Sequence, residues 1–287
     1  MSTLKARMAP YAMILPGGLW LAVFFVVPIG AMASLSLQQG DLFSGFRQTF
    51  HFQTYADVIT QYHDQLVRSF LYGLWTTIIA IVLAYPVAYW IATRGGRHKS
   101  TYLFLILLPF FVTFVLRTIA WQFLLADNGI VLSPLKDAHL LPADFHILAT
   151  SVAVVGGLVY NFLPFMVLPI YVALERIDRS LLEAANDLYA SRSQAFLRVV
   201  LPLSLPGVFA GVVLTFVPAT SDYVNATILG GTGQVMIGNI IETLFIENQD
   251  YPQAAALSWV LLTALLIGVF AYARALGTED VLDVSGA

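Results

Sequence analysis

The chain has no cysteine. That excludes a disulfide framework, a thiol nucleophile and any cysteine-based metal site. Histidine is sparse, and His51, His63, His98, His139 and His146 show no helix-spaced pairing that would hold a metal ion. Lysine occurs at only a few positions, and none completes the G-x-x-x-x-G-K-[ST] pattern of a phosphate-binding loop. The chain is therefore not expected to hydrolyse ATP by itself. Charge is the deepest deficit. Only 11% of the 287 residues are charged, where a soluble domain has about a quarter. With 59% hydrophobic residues, this decides for an integral membrane protein. A net charge of −3 is too small to point to nucleic acid.

Six apolar runs approach the ~20 residues that span a bilayer as a helix. They cover about 12–29, 69–92, 102–125, 147–174, 205–229 and 254–273. The expected fold class is all-α, a polytopic membrane protein with six transmembrane helices. The basic start and Ala31-Met32-Ala33 also fit a signal peptide, but the first run is long enough to read as an uncleaved helix. Residues 37–66 and 127–146 read as loops, and RGGRHKS at 94–100 as a tight turn. No internal repeat is visible, so an inverted-repeat carrier gains no support.

Six spans place both termini on one side. With the N-terminus inside, the inner segments hold Lys5, Arg7, Arg94, Arg97, Lys99, Arg176, Arg179, Arg192, Arg198 and Arg274. The outer segments and span ends hold only Arg47, Arg68, Arg117 and Lys136. Positive residues mark the cytoplasmic side, so both termini are expected there.

Between the fourth and fifth runs lies a polar stretch, EAANDLYASRSQAFLRVVLP, from Glu183 to Pro202. Ser180-x-x-Glu183 and Ser191-x-x-Gln194 each read as a capping box. Two short helices follow, with a break near Tyr189–Ala190. Pro202 and Pro206 either end the second helix or start the next span. Leu181, Leu182, Ala185, Leu188 and Tyr189 recur at helical spacing and make an apolar face.

This stretch resembles the EAA loop of permease subunits in bacterial ABC importers. Glu183, Ala184 and Ala185 match that motif, as do Val199, Leu201 and Pro202 at their expected distance. The glycine of the motif is replaced by Tyr189. Tyrosine adopts φ > 0 at a cost that glycine avoids. The bend is therefore expected at Ala190 or Ser191, with Tyr189 on the apolar helix face. Two further stretches, LPFFVTFVLRTIAWQFLLADNGIV (108–131) and SDYVNATILGGTGQVMIGNIIETLF (221–245), resemble permeases of the spermidine/putrescine type. The extra N-terminal span suits the first of the two permease subunits.

The resemblance implies a type I ABC importer permease (MetI-like) fold. Residues 1–65 would be a cytoplasmic N-terminus, first span and outer loop. Residues 66–275 would form a five-helix core with a cytoplasmic coupling loop at about 178–202, and 276–287 a cytoplasmic tail. It also implies a second, homologous permease subunit, a cytoplasmic ATPase dimer and an extracytoplasmic substrate-binding protein. No cofactor is expected on this chain, since ATP and Mg would sit on the ATPase, and the membrane would be the bacterial inner membrane. Glu183, Ala184, Ala185, Asp187, Leu188 and Tyr189 would couple to the ATPase. A permease for another small solute shares much of this pattern.

An ion-coupled carrier would need ionisable groups deep in the spans. Only Asp222 and Arg117 are candidates. Asp222 is the only acidic residue inside an expected span, so it is the candidate for steering a cationic substrate, with Trp121 or Tyr160 as the aromatic partner of an ammonium group. The alternative is an Asp222–Arg117 pair holding two helices together. Arg117 lies about fifteen residues into its run, or roughly 22 Å along a straight helix, which places it near the outer surface. No residue is expected to be catalytic.

Overall fold

The computed structural model of the chain describes residues 14–41, 43–142 and 144–275. The expected basic N-terminus and the tail 276–287 lie outside the described residues. Helix dominates. Among the described residues, five helices are long and apolar enough to cross a membrane, and a sixth span results when one bent pair is taken together.

The first span, α1, is Ile14–Leu35. A short hairpin follows, with β1 (Gln38–Gln39) antiparallel to β2 (Arg47–Gln48) and Gln38 opposite Gln48. Next come α2 (Gln53–Gln61) and α3 (His63–Arg94). The third run is split into α4 (Gly96–Phe111) and α5 (Phe114–Leu125), bent by 90°. A short α6 (Leu132–Asp137) leads to α7 (Ser151–Glu175). Then come α8 (Arg179–Asp187), α9 (Arg192–Ser221) and α10 (Val224–Leu229). The chain closes with α11 (Ile237–Glu242), a π-helical turn Thr243–Glu247, and α12 (Tyr251–Ala275).

Two compact units divide these elements. One holds the described residues up to His63 together with Ile241–Ala264. In it, the Ser36 and Tyr55 hydroxyls share a hydrogen bond of 2.6 Å, and Phe46 and Phe245 pack on Tyr251. The other unit holds the described residues of Asp64–Ile240 and those from Leu265 on. Its first core gathers Tyr72, Val154, Leu158, Phe162, Leu229 and Met236. Its second gathers Ala80, Ala84 and Ala88 of α3 with Met166, Val167 and Ile170 of α7. The alanines recur every four residues, so they form one stripe of the helix. Small residues let two backbones approach closely, the packing available when lipid offers no hydrophobic drive.

Two of the expected runs need correction. The third is not one straight helix. Val112 (φ −96°, ψ 139°) and Thr113 (ψ 147°) are extended, shortly after Pro109. The depth of 22 Å expected for Arg117 assumed an unbroken helix and does not survive a right-angle bend. The fifth run is also broken, because Asp222 is extended (ψ 135°) between α9 and α10. Pro202 does stand in the first turn of the α-helical stretch Leu201–Ser221, as one of the two expected roles has it, but that stretch continues α9 without a break and Pro206 lies inside it. A proline ring clashes with the carbonyl four residues back. Here a π-helical turn at Phe196–Val200 precedes Pro202, with Leu201 N–H donating to the Phe196 carbonyl. The widened turn accommodates the ring within a continuous helix.

Candidate functional site

Two places in the larger unit concentrate polar chemistry. The first is the loop from Asp178 to Arg198. α8 begins two residues earlier than its sequence pattern suggests. Asp178 is its N-cap, and its carboxylate accepts the Ser180 N–H at 2.9 Å. That hydrogen bond, first from the backbone and then from the side chain of Ser180, holds the Asp178 carboxyl below its ordinary range. The capping box expected at Ser180 and Glu183 is therefore not formed. Aspartate caps as well as serine, and its charge also favours a helix N-terminus. The second box is present: Gln194 N–H donates to Ser191 Oγ at 3.3 Å and Ser191 N–H to Gln194 Oε1 at 2.8 Å.

Between the two helices the turn falls at Tyr189, not at Ala190 or Ser191. Tyr189 has φ of 58°. The Ala190 N–H donates to the Ala185 carbonyl at 3.0 Å and the Tyr189 N–H to that of Asn186 at 2.9 Å. This nested pair is a Schellman ending, which requires a left-handed residue at this position. Two hydrogen bonds outweigh the side chain's preference, and tyrosine keeps the conformation that glycine would adopt. The expected apolar face is also divided. Leu182 packs toward the second core, whereas Leu188 is 82% and Tyr189 97% exposed. Ala185 is half-buried, and Glu183, Ala184 and Asp187 are exposed. The turn thus presents two large hydrophobic side chains at the tip of a polar loop.

The second place is a buried polar seam where α5, α7 and α10 meet. Asn161 Nδ2 donates to Thr118 Oγ1 and to Asn225 Oδ1, both at 3.2 Å. Asn225 donates to Asp222 Oδ1 through its backbone N–H at 2.7 Å and through Nδ2 at 3.2 Å. Asp222, 9% exposed, thereby ties the start of α10 to the break after α9. Gly157, one turn before Asn161, makes room for this. A Cβ there would sit 2.7 Å from Asn225 Oδ1 and collide with Leu229.

Asp222 does not pair with Arg117. Among the described residues the Arg117 guanidinium has no ion pair. It lies over the Phe110 ring, 4.5 Å from the centroid, and 5.7 Å from that of Phe114. Arg117 is 7% exposed, with Nε and Nη1 buried and without a hydrogen-bond partner. The bend before α5 turns it back onto the rings of its own broken span. Trp121 and Tyr160, expected as separate candidates, meet edge to face at 5.4 Å between centroids. Sequence reasoning missed Thr118, Asn161 and Asn225. The signal was present in Asn161, an amide inside the apolar run 147–174.

Residues 66–276 match the family described as binding-protein-dependent transport system inner membrane component. The chain belongs to that family. This permease is 35% identical over 260 residues to the spermidine/putrescine transport system permease protein PotB of Haemophilus influenzae, covering 89% of this chain and 90% of that one. It is 32% identical over 257 residues to PotB of Escherichia coli K12, covering 89% and 94%. It is 34% identical over 238 residues to the inner membrane ABC transporter permease protein YdcU of the same organism, covering 77% and 74%. Two solved structures share the permease fold. A chain of a bacterial ABC transporter that imports alginate aligns with TM-score 0.71 at 17% identity, covering 96% of this chain and 97% of that one. A chain of the MetNI methionine ABC transporter aligns with TM-score 0.56 at 16% identity, covering 74% and 94%. The protein is thus a multi-pass permease of the ABC importer class and a homologue of spermidine/putrescine permeases.

Proposed function

We propose that this permease forms half of the translocation path of an ATP-driven importer of polyamines, with ATP hydrolysed on a separate subunit. The observation that carries the coupling role is the tip of the Asp178–Arg198 loop. Leu188 and Tyr189 stand almost fully exposed on a rigid Schellman turn. Exposed large hydrophobics held on a rigid turn mark a docking point. The loop would seat in a groove of the ATPase, with Glu183, Ala184 and Asp187 at the rim and Ala185 beneath. Closure of two ATPase subunits on ATP and Mg would pull α8 and rock the spans between two packings. A second, homologous permease and an extracytoplasmic binding protein complete the assembly. The count of basic residues supports a cytoplasmic side for the loop and both termini, with residues 66–275 as the permease core.

The polyamine assignment rests on the relatives. In the path, Trp121 and Tyr160 supply aromatic faces for an ammonium group, and the free Asp222 oxygen supplies negative charge. Arg117 borders the same aromatic surface. Reconstitution with the second permease, the ATPase and the binding protein in proteoliposomes tests the reading. Uptake of labelled spermidine or putrescine should require ATP and fail with an ATPase lacking its phosphate-binding lysine. Uptake that is independent of ATP, or unaffected by competing polyamines, would overturn it.

A further inference from the structure

At the root of α8, a cavity of about 310 Å³ opens between α8, the end of α7 and the turn joining α3 to α4. Lys99, Glu175 and Glu183 all line it. The Lys99 ammonium donates to both Glu175 oxygens at 2.8 Å. This pair links residues 76 apart, and Glu175 is the last residue of α7 before the loop. The turn that delivers Lys99 is built for it. Gly96 is left-handed with φ of 51°. At Gly95 a Cβ would lie 2.5 Å from the Ile91 carbonyl and 2.8 Å from Lys99 Cγ. A side chain at 95 would displace the Lys99 stem. Glu183 lies across the same cavity, on α8, and among the described residues its carboxylate has neither hydrogen bond nor ion pair.

We infer that Lys99 is a positioning residue of the coupling machinery, a single ammonium shared in turn by Glu175 of the core and Glu183 of the coupling helix. The inference rests on the coupling role proposed for the loop. In the conformation described, Lys99 holds the base of α7, and α8 packs on the core through Leu182. When the ATPase draws α8 across the cavity, Glu183 comes within reach of a flexible four-carbon stem carrying rotatable donors. A cavity of this volume is about 8 Å across if taken as a sphere, a span such a stem crosses by changing rotamers. Lys99 then fastens the moving helix to the α3–α4 turn. Pairs of this exposure contribute little to stability, so their exchange leaves the two conformations close in free energy. That is what a reversible switch needs.

A fixed staple and a shared ammonium make different demands on the two partners. If the pair only holds α7 to the turn, Lys99→Met and Glu175→Gln must act alike, the glutamine oxygen keeping the hydrogen bond that Glu175 also makes with Tyr171. If the ammonium is shared, Glu175→Gln releases Lys99 to Glu183 and favours the displaced position of α8. Lys99→Met removes both. The test uses the full complex in proteoliposomes, measuring ATP turnover with and without substrate-loaded binding protein. Glu175→Gln should raise unstimulated turnover severalfold and lower the substrate moved per ATP. Lys99→Met should leave unstimulated turnover near wild type and reduce the stimulated rate severalfold. Lys99→Arg should retain stimulation, because a guanidinium can pair with either carboxylate. Pull-down of the ATPase at wild-type yield shows that assembly is not the cause. Equal effects of Lys99→Met and Glu175→Gln, or full stimulation in Lys99→Met, would overturn the inference and leave the coupling role of the loop standing. A wild-type complex with no ATP-driven uptake would overturn both.

Discussion

Tyr189→Gly separates two properties that one residue combines. In the free permease the substitution relieves strain. A non-glycine residue in the left-handed region costs roughly 1–2 kcal/mol, and glycine gives back roughly 0.5–1 kcal/mol through its freer unfolded chain. The net gain is about 0.5–1 kcal/mol, or roughly a two- to fivefold slower opening of the turn. Hydrogen exchange at the Tyr189 and Ala190 amides reads this directly, because both donate in the Schellman pair. In the complex the same change removes a side chain that is 97% exposed before docking. Burial of a large side chain contributes about 1.5–3 kcal/mol, so affinity for the ATPase should fall by about ten- to a hundredfold. Tyr189→Asn is the control. Asparagine visits the left-handed region readily, so the turn should persist while docking weakens equally. Faster exchange at Ala190 in Tyr189→Gly would refute the assignment of the turn. Unchanged ATPase affinity in both variants would refute docking through the ring.

Other outcomes follow from the same geometry. Asp178→Ala removes the N-cap of α8 and should destabilise the start of that helix, visible as faster exchange at Ser180–Glu183 with the Ser191 turn unchanged. The Asp178 carboxyl is held below its ordinary value, so its contribution is complete above the unfolded pKa of about 4. It is lost as pH falls through the lower folded value, and exchange at Ser180 should quicken only in that acidic window. Gly157→Ala forces a Cβ against Asn225 and Leu229 and should cost about 1–3 kcal/mol by overpacking, measured as a lower unfolding midpoint in detergent. Asp222→Asn should raise the substrate concentration needed for uptake while assembly stays intact. Because no ion pair joins Asp222 to Arg117, Arg117→Gln should not rescue it, and rescue in the double variant would show that the pair forms in another conformation.

Much of this was legible before any coordinates. Apolar runs of span length and the near absence of charge are properties of composition, and a bilayer admits few structures that satisfy every backbone group. The Ser191 box was legible because its partners are three residues apart. The Ser180 box was not, since Asp178 competes for the same amide, and local pattern does not rank two caps two residues apart. The seam of Thr118, Asn161 and Asn225 joins residues 43 to 107 positions apart, a juxtaposition that periodicity does not encode.

The sequence by itself determined the class of the protein, its spans and the polar loop between the fourth and fifth of them. These depend on residues close together in the chain and on their transfer from water to lipid. Tertiary structure alone decided the separation of Asp222 from Arg117 and the sharing of one cavity by Lys99, Glu175 and Glu183, while the left-handed Tyr189 follows from two nested hydrogen bonds inside the loop. Each of these is settled by competition among partners distant in sequence or by the closure of nested hydrogen bonds. A single residue's own preference is worth about 1–2 kcal/mol at most, and the packing around it is worth more.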